Sequence, residues 1–194
     1  TKGSKPATIH VVNPTQLKDL PQPIRTLAKA QSFDAAPLSL LLCPEQQGGL
    51  TVVVGAPSDQ ADPFSLGSLA SRLPPGHYRF HQPPAAAHLV ALAWCLELYK
   101  YDPFRPVRVR NAALETPRGV DRDALVAESN ATYTVRDLVN APANLMGPAE
   151  LEAAARAIAR RFAARLTVTR GAKLKRDFPL IHVVGAASER APRL

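Results

Sequence analysis

The chain has 194 residues, 46% hydrophobic and 21% charged, which places it among ordinary globular proteins and excludes a disordered chain too poor in apolar residues to collapse. That length suffices for one good core, or for one domain plus the opening of another. The net charge of +8 and pI near 9.9 invite a polyanion-binding reading, but the excess is uneven: positions 1–100 hold 8 basic and 6 acidic residues, positions 101–194 hold 16 and 10.

In chain order, residues 1–7 read as a frayed start and 8–12 as a short strand. Residues 21–30 can form a helix with Ile24, Leu27 and Ala28 on one side. Two apolar runs, 38–43 and 50–55, are joined by a polar link ending in Gly48 and Gly49, which predicts a hairpin or two neighbouring strands. A modest helix is expected over 63–73, carrying Phe64, Leu66, Leu69 and Ala70 and stopped by Pro74, Pro75 and Gly76. Residues 78–81 form a candidate strand. The best helix of the first half spans 84–99, where Ala87, Val90, Ala91, Trp94, Cys95 and Leu98 recur at helical spacing behind Pro83 and Pro84. Nearly all its faces are apolar, so burial against a sheet is expected. Its most apolar window is about 14 residues, interrupted by His88, and is too short to span a bilayer. Residues 107–113 read as a strand, 117–121 as a polar turn and 122–131 as a helix. Strands alternating with helices predict an α/β fold, with a mixed or largely parallel sheet flanked by helices.

Next comes a defined elbow. Val135, Leu138 and Val139 continue a short helical stripe, which Pro142 and Pro148 interrupt because proline lacks an amide donor and pushes the preceding residue toward extended geometry. Asn140 and Asn144 sit beside the breaks, where their short amides can bond backbone groups that helix ends leave unpaired. Two breaks this close together predict that Pro142 and Asn144 fix the angle between the flanking parts. Gly147 and Pro148 start the next helix, with Glu150 in its first turn, where a negative charge suits the dipole.

On that helix Arg156, Arg160, Arg161 and Arg165 are spaced to face away from Leu151, Ala155, Ile158, Phe162 and Leu166. Two readings stand: a solvated arginine face, or a surface for phosphate contact. No aromatic residues interleave with the arginines as a single-strand stacking platform requires. Residues 166–169 and 180–184 are expected as strands flanking a basic link, 173–176, with His182 a strand residue in or near a core. They read as the opening of a second α/β unit.

Sites of chemistry are sparse. His77 and His81 have a four-residue gap that would align two metal ligands only on a helix, and the surrounding prolines argue for strand or loop. Cys43 and Cys95 are far apart, without metal-type spacing, and read as reduced core residues. The serines lack a nucleophile-elbow pattern, and Gly48 with Gly49 is a turn signal, not a phosphate-binding loop. No charged-then-apolar leader opens the chain, so export is not supported, and an opening Thr1 reads as the start of a cloned or processed form.

The run RDLVNAPANLMGPAEL, residues 136–151, resembles the leucyl aminopeptidases (cytosol aminopeptidases), at the place where their N-terminal domain passes into the catalytic domain. A second run at the expected distance, FPLIHVVGAASERAPRL, residues 178–194, is similar to that family's segment ending in a glycine, a Ser/Glu/Arg cluster and a proline. The resemblance implies a variable N-terminal α/β domain over 1–128, then a linker helix, elbow and first catalytic-domain segment over 129–194. Arg136, Asn140, Pro142 and Asn144 form the interdomain elbow in this reading. The implied reaction is removal of N-terminal residues, often leucine, from peptides by two divalent metals, zinc or manganese, that polarise the carbonyl and activate water. It further implies a cytoplasmic homohexamer in which this portion serves assembly and access. The family's metal ligands and catalytic residues lie in motifs downstream of the matching segment, so none carries over to a position here. Some bacterial members also bind DNA, which keeps a DNA-binding or regulatory module open as an alternative, beside a catalytically inert fragment.

Overall fold

A computed structural model describes residues 5–45, 48–59, 62–104 and 112–194. The chain divides into two compact units, Thr1–Tyr133 and Thr134–Leu194.

The first unit is built on a five-stranded sheet of order β2-β3-β1-β4-β5, from β1 (Ala7–Val12), β2 (Leu40–Pro44), β3 (Leu50–Gly55), β4 (Gly76–Phe80) and β5 (Ala112–Leu114). The β1, β3, β4 and β5 strands run parallel, and β2 pairs antiparallel with β3, with Leu41 opposite Val53. The sheet is therefore mixed and mostly parallel, as expected. The remainder of strand 107–113 falls on residues outside those described, apart from Ala112 and Ala113.

Alternation along the strands sorts side chains to two faces. Ile9, Val52, Val54 and Tyr78 meet Leu66, Leu69, Leu73, Val90 and Trp94, which come from a 3-10 turn (Ser65–Ser68), the short helix α2 (Leu69–Arg72) with the residue that caps it, and α3 (Ala87–Glu97). Val12, Leu41, Cys43 and Val53 meet Leu20, Ala28 and Ala35 under α1 (Gln22–Ala30). The interior strand β3 is covered on both faces, which is why Val52, Val53 and Val54 form an uninterrupted apolar run with no exposure. Trp94 is anchored by its polar edge as well: Nε1 donates to the Ala112 carbonyl at 2.9 Å. The α3 helix is buried as its all-round apolar sequence predicts, but it starts at Ala87, three residues beyond Pro84. From α4 (Arg122–Asn140), Glu128 pairs with His88 of α3 at 2.8 Å and the Tyr133 hydroxyl donates to the Cys95 carbonyl. The unit boundary falls within α4, a single helix that runs on to the elbow.

The second unit contains α5 (Pro148–Arg161), α6 (Gly171–Asp177) and α7 (Pro179–Gly185). Three expectations are corrected here. Residues 180–184 lie in α7, not in a strand, and His182 is a half-buried helical residue. A short all-apolar run has no periodicity to separate the two states, and Pro179 at the first helical position decides for helix. The basic link 173–176 is likewise helical: Lys173 and Arg176 both bond Asp177, at 2.6 and 2.7 Å, while Leu174 turns inward and is fully buried. Residues 166–169 form no strand. The chain just after them makes an isolated bridge, Arg170 opposite Arg193, with the Thr169 amide donating to the Leu194 carbonyl at 2.6 Å and the Leu194 amide donating back at 2.9 Å.

Candidate functional site

The elbow is a closed structure made by backbone groups. After α4 ends at Asn140, the Pro142 carbonyl accepts from the Leu145 and Met146 amides at 2.8 and 2.9 Å, so a proline that cannot donate serves as a double acceptor. At the start of α5 the Gly147 amide donates to the Glu150 carboxylate at 3.0 Å, satisfying one of the donors a helix start leaves free. Its own backbone amide and then that bond hold the Glu150 carboxyl below the ordinary range, with Arg190 and Arg193 adding smaller attractions.

The C-terminal segment then locks the turn. Arg190 donates Nη1 to the Ala143 carbonyl at 2.8 Å and Nη2 to the Asn144 carbonyl at 2.6 Å, and Nη1 stands 3.8 Å from Glu150 Oε2. A forked guanidinium matches two successive carbonyls where a lysine would reach one. Gly147 makes room for it, since a Cβ there would fall 2.3 Å from Arg190 Nη1, and at Gly185 a Cβ would fall 2.3 Å from Pro192. Three residues on, Arg193 donates to Glu152 Oε2 at 2.8 Å while Arg156 Nε donates to Oε1 at 2.7 Å. Only 10% of the Glu152 side chain and 18% of that of Arg193 remain exposed. The hydrogen bonds from Arg156 and then Arg193 hold the Glu152 carboxyl below its ordinary range.

These contacts join the two runs that carry the sequence resemblance. Of the elbow residues, Arg136 and Asn140 lie on the last turns of α4, Pro142 supplies the accepting carbonyl, and Asn144 takes part through its main-chain carbonyl. Of the four arginines, Arg156 and Arg160 line one groove of about 450 Å³ together with Ala159, Ala163, Ala164 and Leu166. Arg161 lies over the Phe162 ring at 5.4 Å, and Arg165 falls beyond α5, which ends at Arg161 because the chain turns through a positive φ of 49° at Ala163. The clamp residues Arg190, Arg193 and Glu152 were not singled out as site residues from sequence. Their partners lie 41 to 47 positions away, and only the presence of arginine in the second family-like run hints at them.

The histidines give a different pairing from the one the spacing suggests. His77 is on β4 and His81 follows it, but His81 stacks on His10 of the neighbouring strand, ring centroids 4.4 Å apart. Burial and then the nearby His81 push the His10 imidazole below its ordinary value. Among the described residues no group of three or more His, Cys, Asp or Glu could hold a metal ion, so these residues do not fit a two-metal centre. Cys43 and Cys95 are unpaired, and burial pushes the Cys43 thiol up, away from a reactive thiolate. No helix among the described residues is long and apolar enough to cross a membrane.

Comparison with known proteins follows the same division. The family model described as M17 aminopeptidase, N-terminal domain, matches residues 13–117, and that described as Cytosol aminopeptidase family, catalytic domain, matches residues 133–194. Among solved structures, a cytosol aminopeptidase from Coxiella burnetii superimposes with a TM-score of 0.89 at 27% identity, over 100% of this chain and 44% of its own. The bottromycin maturation enzyme BotP gives 0.72 at 21% identity over 97% of this chain and 45% of its own. An M17 aminopeptidase from Trypanosoma brucei gives 0.75 at 18% over 98% and 44%. The latter two show the fold alone. The chain thus spans less than half the length of the structures it matches. No curated protein matches it.

Proposed function

Because this chain belongs to the M17 (cytosol) aminopeptidase family and carries its N-terminal domain with the start of its catalytic domain, we propose that it is the N-terminal portion of a two-metal leucyl aminopeptidase. The intact enzyme removes N-terminal residues from peptides, and this portion serves assembly as a homohexamer and access to the active sites. Residues 1–128 act as the N-terminal domain and 129–194 as linker, elbow and first catalytic segment. Zinc or manganese is held by catalytic-domain residues beyond these 194, consistent with the BotP structure solved in complex with Mn. The two unpaired cysteines support a cytoplasmic, reducing setting.

The observation that carries this reading is the clamp. Arg190 and Arg193 bring the two family-like runs together in one unit, at an elbow flanked by Arg136, Asn140, Pro142 and Asn144. The test is the intact mass of the protein from its source, paired with leucine-p-nitroanilide hydrolysis with and without manganese. A mass well above 20.9 kDa with metal-dependent hydrolysis supports the proposal. A mass of 20.9 kDa without hydrolysis overturns it.

A second reading, phosphate contact by Arg156, Arg160, Arg161 and Arg165, is favoured by the shared groove of Arg156 and Arg160. Replacing Arg156, Arg160 and Arg161 with glutamate should abolish retention on DNA. Unchanged retention removes that reading without touching the first.

A further inference from the structure

In the first unit one ladder of the sheet ends on two stacked imidazoles. β4 pairs with β1 through Tyr78, Arg79 and Phe80, and the His81 amide closes that ladder by donating to the Ile9 carbonyl at 2.8 Å. His10, next along β1, points to the side of the sheet opposite Ile9. The His81 ring lies against it with centroids 4.4 Å apart and planes 25° apart. From there the chain leaves the sheet through Gln82, Pro83 and Pro84 toward α3. Two prolines have no amide with which to add another rung, so the exit of β4 rests on the stack and on that one bond.

The surroundings do little to offset charge on the rings. On the His10 side of the sheet β1 presents Thr8 and Val12, β3 presents Thr51 and Val53, and β4 presents His77 and Arg79, both exposed. The carboxylate that approaches this side, Glu45, accepts a hydrogen bond from Thr51, which pairs with Thr8. On the helical cover, Lys18 and Asp19 of the 3-10 turn Pro14–Asp19 and Arg25 and Lys29 of α1 are all exposed. The strand neighbours of the pair are thus neutral or basic.

We infer that the His10–His81 stack is an acid-released latch, which holds the exit of β4 on β1 while at most one ring is charged and lets go when both carry a proton. Two imidazolium rings at this spacing repel, and Arg79 adds to the repulsion. Burial, and then the nearby His81, already disfavour a charge on His10, so the doubly charged state forms only below the ordinary histidine value of 6.5. The latch is therefore shut at neutral pH and opens as pH falls through the lowered value of His10. Release stops at the exit, because Tyr78 and Phe80 pack into the core on the other side of the sheet and keep the rest of β4 in place.

Amide hydrogen exchange of the full chain at pH 8 and pH 5 tests this, expressed as protection factors so that the intrinsic pH dependence of exchange divides out, with the Val53 amide as internal reference. Expected is a fall of about ten-fold or more in the protection of the His81 amide relative to Val53 between the two pH values. His81→Phe keeps a ring for the stack but cannot be charged, and its ratio should stay constant. A constant ratio in the unsubstituted chain, or an equal fall in His81→Phe, overturns the inference. Should His81→Phe fail to fold, the nuclear Overhauser contact between the His10 and His81 rings decides in the unsubstituted chain. Its loss on protonation of both rings supports the latch, and its survival when both are protonated overturns it.

Discussion

The two units are ordered by different physics. The first buries Trp94, Tyr78, Ile9, Leu41, Leu69, Leu73 and the valines of β3 on both sides of a sheet, so each of its elements is fixed by area removed from water. The second is tied by a few directed bonds, arginine forks onto carbonyls and carboxylates, with most of its apolar side chains still wet. Burial is non-directional and tolerates small errors, whereas a guanidinium clamp depends on angle and reach.

Substitutions can break that contrast at several strengths. The largest effect belongs to Trp94→Ala, which empties a buried site and orphans the Ala112 carbonyl. It should cost about 3–5 kcal/mol, read as a lower urea midpoint at unchanged slope. Leu180→Ala on the isolated chain, by comparison, should stay within about 0.5 kcal/mol. Arg190→Ala should come next, at about 1–2 kcal/mol, seen as faster hydrogen exchange at the Leu145, Met146 and Gly147 amides with the first unit unaffected. Lysine at the position should restore less than half of it, because an ammonium lacks the fork. Full rescue by lysine would show that charge alone closes the turn.

Pro142→Ala probes the elbow through the assembly. It should loosen the proposed hexamer, measured by mass in solution, while the melting of the first unit shifts by no more than about 0.5 kcal/mol. An intact oligomer with an unchanged profile would mean that Arg190 sets the turn without help from the proline.

Acid should separate the units most gently. In the second, Glu150, Glu152 and Asp177 have lowered folded values, so their contribution is complete above the ordinary carboxylate values of 4.5 and 3.8 and is lost as pH falls through the lowered ones. In the first unit His10 is also lowered, from 6.5, so its contribution is present above that pH and declines as pH falls through the lower folded value. Asp62, lowered by its bonds from Ser65 and the Phe64 amide, follows only in the carboxylate range. Amide exchange followed from pH 7 to 3 should therefore show the strands around His10 loosening before the Arg193–Glu152 contact does. The reverse order would contradict the assignment of these shifts.

The sequence discloses these units unequally, for the same reason. Strands β1, β3 and β4 and helix α3 are legible because burial writes itself into local apolar runs and helical spacing. The elbow is legible because Pro142 and Pro148 act on their own neighbours. The clamp is hidden because Arg190 meets Asn144 across 46 positions, and an arginine bound to a carbonyl looks no different in sequence from one in water. The same blindness turned α7 into an expected strand: Leu180, Ile181, Val183 and Val184 form an apolar run with no periodicity to say which backbone it adopts. His10 and His81, stacked across neighbouring strands, are likewise paired by sheet register rather than by spacing.

The distance between Arg190 and its carbonyls also sets a clock. A ribosome adding about 5–20 residues per second needs roughly 2–9 s to travel the 46 positions from Asn144 to Arg190. Throughout that interval every core residue of the first unit has been synthesised, while the elbow waits for its guanidinium. The newborn chain therefore has an order in time: the sheet can close early, and the turn at Ala143 and Asn144 stays unlatched until translation passes Arg190.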